Sequence, residues 1–247
     1  MSSEATLGQT LFKFRSITPV PIIVICLVLL YFSRATFGPG GAGVDALMDV
    51  AGLLLCVLGQ ALRAWTLGQV PEGTSGQGFQ LEAAVLNTTG PYARVRNPLY
   101  VGNALITLGL LLIAWDPAVL VIALVFFFGQ YFFIIRAEEA FLRGRFGEKF
   151  DEFCRKVPRW IPRLTPASDL PLSHRFDWKR ALRKEHNPFA AWASGVLVLY
   201  GWELWARRPD AFQQRLPGLV AAQVAVLLLF VGIKGWKHQW FGGKARA

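Results

Sequence analysis

Residues 97–135 read NPLYVGNALITLGLLLIAWDPAVLVIALVFFFGQYFFII, two apolar runs separated by a single charged residue, Asp116. Leu99 to Trp115 and Pro117 to Ile135 approach the roughly 18 to 20 residues that a helix needs to cross a bilayer. Asp116 can accept hydrogen bonds from the free amides of a helix start, and Pro117 can open that helix without losing a bond. The two runs therefore form an antiparallel helical hairpin with a compact turn. Pro98 plays the matching part at the other end: it fixes its own φ and pushes Asn97 out of the α region, so a helix starts there with Asn97 as its N-cap. Upstream lies GPYARVR, residues 90–96, where Arg94 and Arg96 stand beside the free amides and the positive end of the helix dipole. That arrangement suits a carboxylate or phosphate. The hairpin brings the chain back to the same side, where it leaves as IIRAEE, residues 134–139, with Arg136 and Glu139 expected on one helix face next to Arg96 and Tyr100.

Working outward, Ser16 to Ser33, Val50 to Leu62, Asn187 to Trp202 and Leu216 to Ile233 are further long apolar runs. The 247 residues are 53% hydrophobic and 17% charged, with a mean hydropathy of +0.38, too apolar for a soluble domain of this length. The expected fold class is an all-α integral membrane protein of about six transmembrane helices, with a pocket on the cytoplasmic side that, by the resemblance given below, holds a cofactor. A net charge of +10 raises the question of nucleic acid, but the basic residues do not gather on a soluble, aromatic-bearing face, and no nucleic-acid partner is expected. They sort by topology. All but four of the 26 lysines and arginines, the exceptions being Arg34, Arg207, Arg208 and Arg215, fall in segments 1–17, 63–98, 136–187 and 234–247. The positive-inside rule then places those segments in the cytoplasm. Cys26, Cys56, Cys154, His174, His186 and His238 are scattered without ligand spacing, and no metal is expected.

Gly52 and Gly59 on the second helix, like Gly102 and Gly109 on the third, are seven apart, which sets each pair on one face and permits close helix packing. Gln60 and Arg63 lie near the cytoplasmic end of the second helix, where an arginine serves as an interfacial anchor or as a ligand contact. The first helix, to Phe32, reads as a lipid-facing anchor, Gly38 to Gly41 as a tight outer turn, and Gln69 to Gln80 as a polar glycine-rich loop. Phe141, Leu142, Phe146, Phe150 and Phe153 recur at helical spacing, the pattern of an amphipathic helix at the membrane surface. Val157 to Pro162 reads as an extended strap over the pocket or an interfacial anchor. In the basic linker 163–187, Glu185-His186-Asn187 reads as a cap cluster before the next membrane helix.

Arg96-Asn97-Pro98-Leu99-Tyr100 resembles the R-H-P-x-Y motif of the isoprenylcysteine carboxyl methyltransferase family, which is related to membrane phospholipid methyltransferases; Asn97 stands where that family has histidine. Thr89-Gly90-Pro91-Tyr92, Glu138-Glu139, Phe146-Gly147 and the VPRWIP of residues 157–162 follow in the family's order. The likeness covers Ala46 to Pro162, leaving 1–45 as an N-terminal anchor and 163–247 as a basic linker with a C-terminal helical pair. It implies S-adenosylmethionine as cofactor, bound by Tyr92, Arg96, Asn97, Pro98, Tyr100 and Glu138. It also implies a catalytic pair, Arg136 holding an acceptor carboxylate and Glu139 orienting Arg136 or facing the sulfonium. The implied partners are membrane lipids and a lipophilic small-molecule or lipid-modified substrate, foremost an isoprenylcysteine-like carboxylate. A phospholipid N-methyltransferase, a membrane NADPH-dependent reductase and a non-enzymatic membrane protein are the alternatives. The C-terminal pair is expected to serve packing, acceptor access or homo-oligomer contacts.

Overall fold

The computed structural model describes residues 3–33, 41–70, 83–167 and 175–238; most of the expected turn at 38–41 and nearly all of the glycine-rich loop lie outside them. Among the described residues every regular element is helical: α1 (Ser3–Lys13), α2 (Pro19–Phe32), α3 (Ala42–Gln69), a 3-10 turn (Gly90–Ala93), α4 (Pro98–Ala114), α5 (Pro117–Phe146), α6 (Glu148–Lys156), α7 (Trp178–Arg207) and α8 (Pro209–Lys237). Gly43–Gln69, Pro117–Phe146 and Pro209–Lys237 are long and apolar enough to cross a membrane, and Pro19–Phe32 and Pro98–Ala114 are apolar but shorter.

The hairpin forms as its turn residues dictate. The Asp116 carboxylate accepts from the amides of Ala118 and Val119, each at 3.0 Å, and Trp115 closes α4 in the left-handed region with φ 41°. At the other end Asn97 stands outside the helix, and its carbonyl accepts from Tyr100 and Val101 at 3.0 Å. Its side chain does not cap α4. The Asn97 amide instead donates to the Arg159 carbonyl at 3.2 Å, because the strap after α6 runs alongside and has a carbonyl to satisfy.

The four spaced glycines do bring α3 and α4 together, the most extensively packed helix pair. A Cβ on Gly52 would lie 2.5 Å from the Gly109 carbonyl oxygen, and one on Gly59 would lie 2.6 Å from that of Gly102. Both obstacles are backbone, so a larger residue must push the helices apart. Gly59→Val is therefore expected to destabilise the fold by about 1–3 kcal/mol, the usual cost of overpacking. Gly129→Ala, where an added Cβ meets nothing within 4 Å, is the control; thermal melting in detergent compares the two.

The structure departs from the sequence reading at three elements. Residues 3–13, placed from the sequence only within the cytoplasmic segment 1–17, form α1 against α5, with Phe12 1% exposed and a Cβ on Gly8 only 2.5 Å from the Phe133 carbonyl oxygen. The amphipathic stretch 141–153 is broken at Gly147, whose φ of 54° favours glycine, so α5 ends and α6 turns away. Finally, α7 begins about ten residues earlier than its apolar run. Asp177 caps it by accepting from the Arg180 amide at 2.9 Å, so Glu185, His186 and Asn187 lie inside the helix and Pro188 is accommodated within it. The start of α7 is tied to the end of α3 by the Asp177 amide on the Gly68 carbonyl, 2.9 Å. At the far ends of the same helices Arg207 pairs with Asp45, and with Glu203 at 3.6 Å, which neutralises one of the four exceptional basic residues.

Candidate functional site

A cavity of about 450 Å³ opens where α4 begins and α5 leaves the bundle, within the range of small-molecule sites. Backbone hydrogen bonds join the two polar stretches that border it. Arg96 donates to the Pro158 carbonyl at 2.9 Å, Arg163 to that of Arg94 at 2.9 Å, and Ala167 to that of Ala93 at 2.8 Å. The strap after α6 thus lies along residues 93–96 and brings Arg159 to Glu139.

One wall is apolar and aromatic. Phe150 and Phe153 are buried with Val157, and Leu86, Tyr92 and Leu142 pack against them. Burial first, and the Glu138 charge second, push the Tyr92 phenol well above its ordinary value, so it remains a neutral group. At the edge of this wall sits the buried Glu139 carboxylate. It takes two bonds from Arg159, at 2.9 and 2.6 Å, and an ion pair from Arg96 at 3.1 Å. The same Arg96 nitrogen lies 2.8 Å from Cys154 Sγ, while Arg96 Nε is buried without a protein partner.

The other wall is polar and continuous across four helices. Tyr100 donates its hydroxyl to Glu138 at 2.9 Å and packs against Tyr131 with ring centroids 4.6 Å apart and planes inclined at 50°. Asn103 donates to the Tyr131 hydroxyl at 2.7 Å and accepts from Arg63. Arg63 grips Glu185 of α7 with two bonds, 2.9 and 2.8 Å, and Gln60, which itself accepts from the Trp192 indole at 2.9 Å, adds a third to the same carboxylate at 2.7 Å. Arg63 and Glu185 are both buried, so the network holds a desolvated ion pair with its remaining polar atoms engaged.

Of the residues singled out in the sequence, Tyr92, Arg96, Asn97, Tyr100, Glu138 and Glu139 line this cavity. Pro98 is buried at the start of α4 and does not line the cavity. Arg136 is not brought to it: the side chain is exposed, with its guanidinium 5.3 Å from the Phe132 ring. Glu139 accordingly faces Arg96 and Arg159. Sequence reasoning missed Asn103, Tyr131, Arg15 and Lys184 as lining residues and undervalued Arg63 and Glu185. The signal for the last two was there, since ionisable groups within or beside apolar helices are retained where they find a partner. Among the described residues no three His, Cys, Asp or Glu side chains gather as metal ligands would.

Among the described residues, helices alone, three of them long and apolar enough to cross a membrane, and a mixed polar and aromatic cavity at their polar end define the class. Residues 47–149 match the family model described as phospholipid methyltransferase, in line with the motif resemblance. The chain is 32% identical over 144 residues to a cobalt-zinc-cadmium resistance protein of Cupriavidus metallidurans, covering 58% of this chain and 62% of that protein. It is 28% identical over 143 residues to a nickel-cobalt-cadmium resistance protein of Alcaligenes xylosoxydans xylosoxydans, covering 58% and 63%. It is 37% identical over 118 residues to the protein-S-isoprenylcysteine O-methyltransferase of Schizosaccharomyces pombe, covering 44% and 46%. The chain thus spans less than two thirds of the length of each of these relatives. No solved structure matches it significantly.

Proposed function

We propose that the chain is an integral-membrane methyltransferase that uses S-adenosylmethionine and acts on a lipophilic acceptor, foremost the carboxylate of an isoprenylcysteine-like substrate. The observation that carries this reading is the cavity itself, which joins the R-N-P-x-Y stretch to the Glu138-Glu139 exit of α5. The name of the Schizosaccharomyces pombe relative supports the acceptor class.

S-adenosylmethionine supplies an electrophilic methyl group on a sulfonium. The residues present fit its parts. Arg96 Nε, buried and unpaired, offers a donor to the cofactor's carboxylate, and Phe150, Phe153 and Tyr92 give an apolar, aromatic wall for a flat ring system. Glu138, fixed by Tyr100, presents a carboxylate to the cationic end. Glu139 acts as a positioning residue, since its bonds to Arg96 and Arg159 hold both guanidinium groups in place. Asn97 pins the strap through the Arg159 carbonyl. Methyl transfer to a carboxylate needs alignment and exclusion of water more than proton handling, and a cavity walled by packed helices supplies both. Arg136 stays outside it, so the acceptor head falls to other residues.

In this reading the methyltransferase core is 46–162, α7 completes its cavity, and six helices span the membrane. The cavity opens to the cytoplasm, because the most basic segment, 136–187, borders it. In a chain freed of its native cysteines, Glu148→Cys is expected to react with an impermeant reagent only from the cytoplasmic face; labelling from the other face would reverse the orientation. Calorimetric titration of the full chain in detergent with S-adenosylhomocysteine tests the activity class. Saturable one-site binding is the expected result, and a flat titration of folded protein would overturn the reading.

A further inference from the structure

We infer that the Tyr131 hydroxyl donates a hydrogen bond to the carboxylate of the lipophilic acceptor and so sets the direction in which that carboxylate meets the methyl donor. The inference rests on the reading above for the reaction, whereas the contact itself is a matter of binding.

The polar network has a direction, and Arg63 sets it. An arginine side chain carries donors only. Its Nε and one terminal nitrogen are held by the two oxygens of Glu185, at 2.9 and 2.8 Å, which leaves the other terminal nitrogen on the Asn103 side chain. Only the Asn103 oxygen can accept there, so the Asn103 amide nitrogen is turned to Tyr131 and donates to its hydroxyl oxygen at 2.7 Å. The Tyr131 proton therefore cannot return to Asn103. Among the described residues it reaches no other acceptor, and the Glu138 carboxylate takes its bond from Tyr100 instead. Tyr131 is 8% exposed and lines the cavity. Buried donors are nearly always satisfied, so this proton is presented to whatever occupies the cavity.

Its place selects the acceptor rather than S-adenosylmethionine. Tyr131 and Glu138 are seven residues apart on one face of α5, two turns and about 10 Å, and Tyr131 is the one further into the apolar length of Pro117–Phe146. Its ring packs on Phe127 and Trp160, with centroids 4.5 and 6.4 Å away. The groups read above as holding the cofactor lie elsewhere, Arg96 just ahead of α4 and Phe150 and Phe153 on α6. A substrate held in lipid by its tail brings its head in from the membrane side, the side on which Tyr131 lies. A carboxylate suits this donor. One oxygen accepts the phenol proton, and the other takes the methyl group as the carbon–sulfur bond breaks, giving an ester and a thioether with no proton exchanged. A charged ammonium head offers the phenol no lone pair. Arg63 and Glu185 are then positioning residues, because the bond between them fixes which way round the Asn103 amide stands.

The test titrates the full chain in phosphatidylcholine nanodiscs with N-acetyl-S-farnesylcysteine and with N-acetyl-S-farnesylcysteamine, which lacks the carboxyl group, S-adenosylhomocysteine being titrated in parallel. The wild type is expected to bind the acid at least about tenfold more tightly than the cysteamine, and Tyr131→Phe should weaken the acid by roughly tenfold, the effect of one hydrogen bond to a charged group. The cysteamine and S-adenosylhomocysteine should stay within about twofold, a selectivity that loss of structure would not give. Asn103→Asp gives the second reading, because aspartate has no donor and Tyr131 turns its proton to it. The new charge weakens the acid by itself, but adding Tyr131→Phe in this background should change the acid by less than about twofold. If Tyr131→Phe does not fold, Asn103→Asp decides on the uncharged methyl ester of the acid, which should lose about threefold or more while the cysteamine loses less than about twofold. Equal losses for acid and cysteamine, a loss of S-adenosylhomocysteine in place of the acid, or a Tyr131→Phe effect undiminished beside Asn103→Asp overturns the inference. So does a wild type indifferent to the carboxyl group. Absent S-adenosylhomocysteine binding with the acid effects intact would remove the methyltransferase reading and leave the carboxylate contact standing.

Discussion

Glu185→Ala is expected to cost the folded chain about 3–5 kcal/mol, the usual penalty for stranding one partner of a buried ion pair. The side chains of Arg63 and Glu185 are only 9% and 5% exposed, so water cannot replace the lost carboxylate. Asn103 still accepts one bond from Arg63, and Gln60 loses its acceptor as well. The loss should appear as a large fall in melting temperature in detergent and as accelerated proteolysis between α3 and α7. Replacing both partners together, Arg63→Met with Glu185→Leu, should recover most of the stability, because the penalty belongs to the stranded charge rather than to the missing attraction. A single replacement that costs less than about 1 kcal/mol would show that the guanidinium finds water, and the network would then not be what holds α7 to the core.

That pair also shows where sequence reading stopped. The hairpin and the glycine contact were legible, because each rests on local chemistry: Pro98 and Pro117 at helix starts, Asp116 as a cap, and glycines seven apart on one face. The extent of α7 was not. An apolar run marks where a helix is buried in lipid, not where it begins, and Trp178 to His186 is too charged to register as membrane helix. Asp177 was the usable sign, a cap residue ahead of a helix-compatible stretch. The N-terminal α1 escaped for a related reason. Gly8 and Phe12 bury one narrow stripe in an otherwise polar segment, and nothing in the segment itself tells which helix receives it. Rotation about a helix axis is a further unknown. Residues three apart differ by about 60° around the axis, enough for Glu139 to turn inward while Arg136 lies over Phe132.

Arg96→Ala is expected to weaken binding of S-adenosylhomocysteine by about 1.5–3 kcal/mol, the range for a hydrogen bond to a charged group, whereas Arg136→Ala should leave it within twofold. The contrast follows from where the two guanidinium groups lie. Arg96 lines the cavity, is anchored by Glu139 at 3.1 Å, and keeps one buried nitrogen unengaged by the protein. Arg136 faces outward beside an exposed aromatic ring. Lysine should not restore Arg96. An ammonium cannot hold Glu139 and a second carboxylate with the separated nitrogens of one planar group, so Arg96→Lys should recover only the long-range part of the attraction. Arg159→Ala gives the internal comparison. Its side chain is 38% exposed and reaches the cavity only through Glu139, so its removal should loosen Arg96 and cost less than removing Arg96 itself. Calorimetry on the four variants at one pH and ionic strength reads the order directly. An Arg136→Ala effect larger than that of Arg96→Ala would mean that α5 turns on binding and brings Arg136 into the cavity, which would return the catalytic assignment to the Arg136–Glu139 face read from the sequence.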